Sequence, residues 1–261
     1  MEVIIQKDAE ATANLASLII ANQIITKPHS VLGMATGRTM EMLYKKLVDR
    51  HINEDLDFSL CHTFNLDEYV GIDRYDENSY RSYMNKHLFE KVNIDFRNTH
   101  VPHGDAEDLD QECRDYDERI ANRGGIDLQL LGIGQDGHIG FNEPLSALKS
   151  RTRAKALAPE TIEQNRHLFS NPNAIPRRAI TMGVGTILES KRALLIATGK
   201  EKAAIIHKAV EGPITSMVTA SALQLHSYCT VIVDEDAASE LEGKEHYRWV
   251  FENEPEWDQY R

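Results

Sequence analysis

The amino-acid sequence predicts an α/β fold: a mostly parallel β-sheet with helices on both faces, in a single domain over residues 1–261. Three observations predict it. Short apolar runs alternate with helix-length amphipathic segments, the signature of βαβ layering. Asp127–Ile133 (DLQLLGI) has the continuous apolar character of a strand buried on both faces, as in a parallel sheet. The residues able to do chemistry follow directly after predicted strands, and in open α/β sheets ligands bind outside the carboxyl ends of the strands.

Taken in order, Glu2–Gln6 (EVIIQ) reads as the first strand. Asp8 is placed to cap the next helix, in which Ala11, Leu15, Leu18, Ile19 and Ile25 recur at helical spacing. Val31–Ala35 (VLGMA) is a short buried strand, and Thr36-Gly37 turns into a helix carrying Met42, Leu43 and Leu47. Leu60–Leu66 is the third strand. Helices are expected over Asn78–Lys91 and Asp108–Asn122, divided by a loop with Pro102 and Gly104. After Asp127–Ile133, the stretch Gly134–Asn173 is richer in Gly, Pro, Asn and polar residues; it reads largely as functional loop, with a lid around 134–175. Ala193–Thr198 (ALLIAT) and Thr230–Asp234 (TVIVD) are further strands, separated by a helix over Lys200–Val210. A short helical tail is expected over 236–261. No internal repeat, low-complexity tract or linker divides the chain.

A chain of 261 residues is one large domain or two small ones, at roughly 100–200 residues per domain. It buries about three quarters of its unfolded surface, so it needs no metal or disulfide staple. With 41% hydrophobic and 27% charged residues it is neither fibrous nor disordered. The net charge of −12 argues against nucleic acid or an anionic membrane as partner, and leaves open a local basic pocket for an anion. Cys61, Cys113 and Cys229 are far apart and form no CxxC pair, so neither a zinc site nor a disulfide framework is expected. No apolar run approaches the ~20 residues that span a bilayer. The start MEVIIQKDAEA lacks the basic and apolar regions of a signal peptide, so a reduced, cytoplasmic protein is expected.

Four strand-end segments carry the chemistry. Gly132–Pro144 (GIGQDGHIGFNEP) holds Asp136, His138 and Glu143 within eight positions, among four glycines. A carboxylate beside an imidazole fixes its tautomer and raises its basicity, as acid/base work requires. An exposed turn is the plainer alternative, and the position after an apolar strand favours the site. The same three side chains are potential metal ligands, but their spacing matches no common zinc pattern, so no metal is expected.

Thr63–Gly71 (TFNLDEYVG) sets Asp67 and Glu68 side by side past a strand, where they point apart and only one faces a ligand. A strand-end carboxylate can be raised towards a working base; a helix-start acid or turn former is the alternative. Leu32–Thr39 (LGMATGRT) runs through a Thr-Gly turn into a helix, whose N–H groups form a phosphate cradle to which Thr36, Arg38 and Thr39 add donors. It is not a Walker loop, and a plain βα turn is the alternative. Thr198–Lys202 (TGKEK) repeats this architecture, with Lys202 in a first helical turn where it opposes the dipole. That lysine either serves a phosphate or is solvated. Together these segments suggest an enzyme doing acid/base chemistry on a phosphorylated small molecule, with no metal or nucleotide cofactor.

The segments LGMATG, TFNLDEYVG, GIGQDGHIGFNEP, SRTRAK, GVGT and AVEGP, in that order, closely resemble the glucosamine-6-phosphate deaminase family. Its members convert glucosamine 6-phosphate to fructose 6-phosphate and ammonia in amino-sugar catabolism. The similarity runs from the first strand to about residue 235. It implies a modified doubly wound, Rossmann-like sheet and an amino-sugar phosphate as the small-molecule partner. It implies Asp67 as the base that moves a proton between C2 and C1, and His138 as the group that assists opening of the pyranose ring. Asp136 and Glu143 are implied to orient and tune that histidine. Phosphate is implied at Thr36 and Gly37, at Arg166 in the long loop and at Lys202. Ring opening moves a proton from O1 to O5, which suits a histidine with a pKa near neutrality. The open-chain aldose then loses its C2 proton to a carboxylate, the enolamine is reprotonated at C1, and the C2 imine adds water and expels ammonia. Each well-placed proton transfer is worth ~10²–10⁴-fold.

The sequence departs from the family at two places. The phosphate turn reads TGRTM, where the family usually has another small residue and a proline in place of Arg38 and Met40; Arg38 either adds a phosphate contact or closes the pocket. Allosteric members bind N-acetylglucosamine 6-phosphate at a subunit interface through residues matching Ser146, Arg153 and Lys155, plus a tyrosine near the C-terminus. Here Tyr247 and Trp249 are both off register, so activation and the homo-oligomer that goes with it stay open. Rival readings are a 6-phosphogluconolactonase, which shares the DGH loop, and a galactosamine-6-phosphate isomerase, which differs at C4. FNEP and DEYVG argue against the first; sequence separates the second poorly. A sugar-phosphate-sensing effector domain is disfavoured because Asp67, Asp136, His138 and Glu143 are all present.

Overall fold

The computed structural model describes residues 1–166, 169 and 175–261. Strand β1 (Glu2–Gln6) leads into helix α1 (Ala9–Thr26), and the N-cap Asp8 accepts the Ala11 N–H at 2.8 Å. Strand β2 (Val31–Met34), helix α2 (Arg38–Asn53) and strand β3 (His62–Asn65) follow. Next come β4 (Asp67–Tyr69), α3 (Tyr80–His87), β5 (Thr99–His100), α4 (Leu109–Asn122) and β6 (Leu128–Leu131). The central stretch holds β7 (Arg153–Ala156), α5 (Pro159–Asn165), β8 (Arg178–Thr181) and α6 (Val184–Leu188). The chain closes with β9 (Ala193–Ala197), α7 (Ala203–Val210), β10 (Cys229–Asp234) and α8 (Lys244–Asn253).

Seven strands pair in the order β1-β10-β9-β6-β2-β3-β5, every neighbouring pair parallel. β2, β6, β9 and β10 are buried at every residue, as a parallel sheet covered on both faces requires. α1 lies against α2 and across β1, β9 and β10, while α8 covers the edge strand β1. The tail is part of the core: Trp257, in the 3₁₀ turn Pro255–Tyr260, is buried with Phe251 and Tyr260 beside it. Among the described residues no helix is long and apolar enough to cross a membrane.

From β2 the chain steps outward to β3 and β5; from β6 it steps the other way, to β9 and β10. Neighbouring strands whose connections leave to opposite sides open a crevice beyond their carboxyl ends. That crevice lies between β2 and β6. At the other end of the same strands, buried Asp127 ties the sheet together. Its carboxylate accepts Lys27 Nζ and Lys191 Nζ, each at 2.7 Å, and the Val31 N–H at 2.8 Å.

A second, antiparallel sheet, β4-β8-β7, corrects the sequence reading. Much of Gly134–Asn173 is loop, as read from the sequence, but it also contains β7 and α5, which were not foreseen. β7 (RAKA) is half-exposed and polar, so it has no apolar alternation to betray it and is defined by pairing with β8. The chain also leaves the main sheet at Leu66: Asp67 opens β4 and pairs with Thr181. Leu60 lies outside β3, in an exposed turn closed by the Cys61 N–H to Phe58 O bond. Ile25 and Met42 point to solvent, and Ile24, Met40 and Tyr44 take the core positions. Of the expected lid, 167–168 and 170–174 lie outside the described residues.

β4 is held from below by Gly104. The Gly71 N–H donates to Gly104 O at 2.8 Å, and a Cβ on Gly104 would stand 1.8 Å from Tyr69 O. Gly104→Ala should therefore displace β4 and lower stability by about 1–3 kcal/mol, read as a lower urea midpoint at unchanged slope. An unchanged midpoint would show that this loop yields freely.

Candidate active site

The crevice between β2 and β6 is a cavity of about 820 Å³. At one end it is lined by Thr36, Gly37, Arg38 and Thr39, the turn from β2 into α2. No side chain caps α2 at Gly37, so its first N–H groups remain for an anion. The Tyr83 hydroxyl, another lining group, donates to Gly37 O at 2.8 Å and steadies the turn. Lys202 faces this end from the start of α7. It is half-buried rather than fully solvated, its Nζ donates to Ile133 O at 2.8 Å, and burial pushes its pKa down. Arg166 is not brought here. It is exposed at the end of α5, its Nη1 3.1 Å from a Glu163 carboxylate oxygen.

At the other end, the two acids of TFNLDEYVG part company as their adjacency requires. Glu68 turns away: its carboxylate accepts the N–H groups of Tyr69 at 2.9 Å, Tyr80 at 3.0 Å and Arg81 at 3.0 Å, capping α3. Asp67 lines the cavity. Only 6% of it is exposed, and among the described residues nothing donates a hydrogen bond to its carboxylate. Burial, reinforced by the neighbouring Glu68 charge and opposed by His138, pushes its pKa up to about 8. A carboxyl group so placed is a base whose proton comes and goes near neutral pH.

Asp136, His138 and Glu143 converge on the loop after β6. His138 Nδ1 lies 2.7 Å from Asp136 Oδ1 and 3.4 Å from Glu143 Oε2. Neither approach is an aligned hydrogen bond, so the imidazole is held chiefly by charge, between two acids. Burial disfavours the imidazolium, but Asp136 and Glu143 outweigh it and push its pKa up to about 9. Burial likewise works against the Asp136 charge, yet His138 holds that carboxyl down to about 2. The two carboxylates favour the imidazolium, so the pKa lies above the value near neutrality that the sequence suggests. The loop can seat the ring because Gly134 has no side chain; a Cβ there would stand 2.4 Å from the imidazole. These three side chains are also the one group with metal-ligand spacing among the described residues, their donor atoms within 4.8 Å of one another. A carboxylate on each side of the ring orients it and raises its basicity, the arrangement that acid/base work requires.

Ser146 and Lys155 border a separate cavity of about 240 Å³ beside Glu143, while Arg153 stands apart and donates to Asn142 Oδ1 at 2.9 Å. Thr161, absent from the sequence reading, is buried in the wall of the main cavity and donates to Glu143 Oε1 at 2.8 Å. Its signal was Pro159, at the first turn of α5, which marks a helix start two residues before it.

A family model described as glucosamine-6-phosphate isomerases/6-phosphogluconolactonase matches residues 6–231. A glucosamine-6-phosphate deaminase of Cellvibrio japonicus is 49% identical over 250 residues, 96% of this chain and 95% of its own. One from Clostridium novyi is 46% identical over 241 residues, 92% of this chain and 100% of its own. The solved structure of a monomeric glucosamine-6-phosphate deaminase, 44% identical, superposes with a TM-score of 0.90 over 92% of this chain and 100% of that one. A 6-phosphogluconolactonase from Trypanosoma cruzi superposes with a TM-score of 0.73 over 92% of this chain and 97% of that one; at 18% identity the likeness is one of fold alone.

The electrostatics can be tested without any ligand. Followed by NMR, the His138 imidazole should lose its proton near pH 9, and in Asp136→Asn the midpoint should fall towards the ordinary histidine range. A wild-type midpoint near 6.5 would mean that the two carboxylates do not hold the charge.

Proposed function

The chain belongs to the glucosamine-6-phosphate isomerase/6-phosphogluconolactonase family, and on that premise we propose that it is a glucosamine-6-phosphate deaminase. It converts D-glucosamine 6-phosphate to D-fructose 6-phosphate and ammonia, a step of amino-sugar breakdown. One observation carries the assignment of roles: the buried carboxylate of Asp67, with no hydrogen-bond donor among the described residues, shares a cavity with His138, which two carboxylates flank, and with the start of α2.

The phosphate is held by the α2 N–H groups with Thr36, Gly37 and Thr39, by Lys202, and by Arg38, which lines the same turn. Because Arg166 pairs with Glu163 on the surface, Arg38 is read as the arginine of this site, in place of the one expected from the long loop. At the other end His138, entering as imidazolium, gives a proton to the ring oxygen O5 as the O1 hydroxyl loses one, and the ring opens. Asp136 and Glu143 keep the imidazole oriented and ready to take the O1 proton. Asp67 as carboxylate then takes the proton from C2; the electron pair forms the C1–C2 double bond while O1 takes a proton from His138, giving an enolamine. Asp67 returns the proton to C1, leaving an imine at C2. Water adds to C2, the C–N bond breaks, and ammonia leaves as the ketone forms. Each bond made or broken is accompanied by a proton transfer of the kind that His138 and Asp67 carry.

The working forms set the pH dependence. Asp67 must be ionised, so the rate rises as pH climbs through about 8; His138 must be protonated, so it falls as pH climbs through about 9. Ammonia release should therefore give a bell-shaped kcat/KM profile with its maximum between these values. Asp67→Asn should lower kcat ~10²–10⁴-fold with KM within about tenfold of wild type. Lys202→Ala should raise KM for the phosphorylated sugar by about tenfold or more, as loss of a charged donor implies. Assays with galactosamine 6-phosphate and 6-phosphogluconolactone in parallel test the assignment. Ammonia from the galacto substrate alone would change the sugar, and lactone hydrolysis alone would change the reaction.

A further inference from the structure

Glu143 divides its carboxylate between two neighbours. Oε1 accepts the Thr161 hydroxyl at 2.8 Å and the Ala158 N–H at 3.2 Å. Oε2 is buried with no hydrogen bond and stands 3.4 Å from His138 Nδ1. Ala158 is the N-cap residue of α5 and has no side chain able to cap it. The first turn of that helix is thus capped from outside, by the acid that also faces the imidazole. A glutamate has three side-chain torsions, and only an anchored carboxylate keeps one oxygen aimed at a partner it does not hydrogen-bond.

We propose that Thr161 is a positioning residue for the ring-opening step: its hydroxyl holds one oxygen of Glu143 so that the other faces His138. This rests on the deaminase reading of the site. The charged groups around the imidazole are Asp136 and Glu143 from its own loop, Asp67 from β4, and Lys202 from the start of α7, which acts on Asp136. Of these, Glu143 is the one bonded to the first turn of α5. The first turn of α5 and the alignment of Glu143 are thus linked through two donors, the Ala158 N–H and the shorter bond from the Thr161 hydroxyl, which is the one side-chain contact of the pair.

The test compares wild type with Thr161→Val, which keeps the shape and loses the hydroxyl, and Thr161→Ser, which keeps the hydroxyl. Thr161→Ala, which also lacks it, replaces the valine variant if that one does not fold. Two readouts are taken: the His138 titration by NMR without substrate, and ammonia release from glucosamine 6-phosphate against pH. In Thr161→Val the His138 midpoint should fall by about one pH unit, the tenfold weakening expected from losing one charge-assisted hydrogen bond. The alkaline limb of kcat/KM should move with it and kcat should fall about tenfold, with KM within about twofold and Thr161→Ser close to wild type. An unmoved midpoint and alkaline limb, or a kcat loss that serine does not restore, would reduce Thr161 to a helix-capping role and overturn the proposal. Wild-type protein that releases no ammonia would instead remove the deaminase reading, and the NMR midpoint would still decide whether Thr161 positions Glu143.

Discussion

The ion pair of His138 with Asp136 and Glu143 is the interaction around which the rest of this molecule is arranged. Burying an imidazolium is unfavourable, and one carboxylate at the edge of a cavity offsets that cost only in part. Two carboxylates reverse the balance and leave the ring protonated where a lone buried histidine would be neutral. The arrangement demands a loop that returns on itself closely enough to bring three charged side chains together. Gly134 leaves room for the ring, and the His138 N–H, 3.2 Å from Asp136 Oδ1, closes the turn. The same imidazolium draws the Asp67 pKa downward, against the burial that raises it, so the acid and the base of the site are tuned as a set.

Two sheets meeting at one crevice make that set possible. The parallel sheet delivers the β2–α2 turn and the loop after β6 to the switch point, which is enough for an anion site and a histidine. It does not deliver Asp67. That residue arrives because the chain steps off β3 at Leu66 and starts a strand of the second sheet, where Asp67 pairs with Thr181. An aromatic group of Tyr69, Tyr80 and Phe141 packs behind it. The base therefore stands on an element of a different sheet from the acid, and small shifts between the two sheets change their separation. Gly104 beneath Tyr69 and the Asn142 amide, which donates to Met182 O at 2.8 Å, are the contacts that oppose such shifts.

Proteins of this architecture with less than a fifth of their residues in common share the sheet and differ in reaction, as expected when function belongs to the site rather than the fold. The segments that separate this chain from a lactone hydrolase lie in the site itself. Asp67, of DEYVG, lines the cavity, and Glu143, of FNEP, stands 3.4 Å from the His138 imidazole. The phosphate end is more general, a helix start with a lysine beside it. Arg38 lines that end of the cavity, and Arg166 lies exposed beside Glu163.

Local sequence determined a good deal. Strands β1, β2, β6, β9 and β10 were legible from their apolar runs, and α1 because Asp8 precedes it as a cap, whereas the two-residue β5 had no such signal. The site residues were legible because glycine-rich turns after strands are where an α/β sheet keeps its ligands, and the resemblance of DEYVG and DGHIGFNEP to a known family assigned them roles. Tertiary structure decided the rest. β7 has a polar sequence and exists through its pairing with β8; which of two adjacent acids is the base depended on Glu68 finding the start of α3. Arg166 lies exposed beside Glu163 at the end of α5, and Thr161 became visible only once α5 was laid beside Glu143. The charge of His138 belongs to the same class, because it depends on burial and on distances between residues that sequence spacing does not encode: charge and polar pairing act through space, whereas hydrophobic periodicity and capping act within a few residues along the chain.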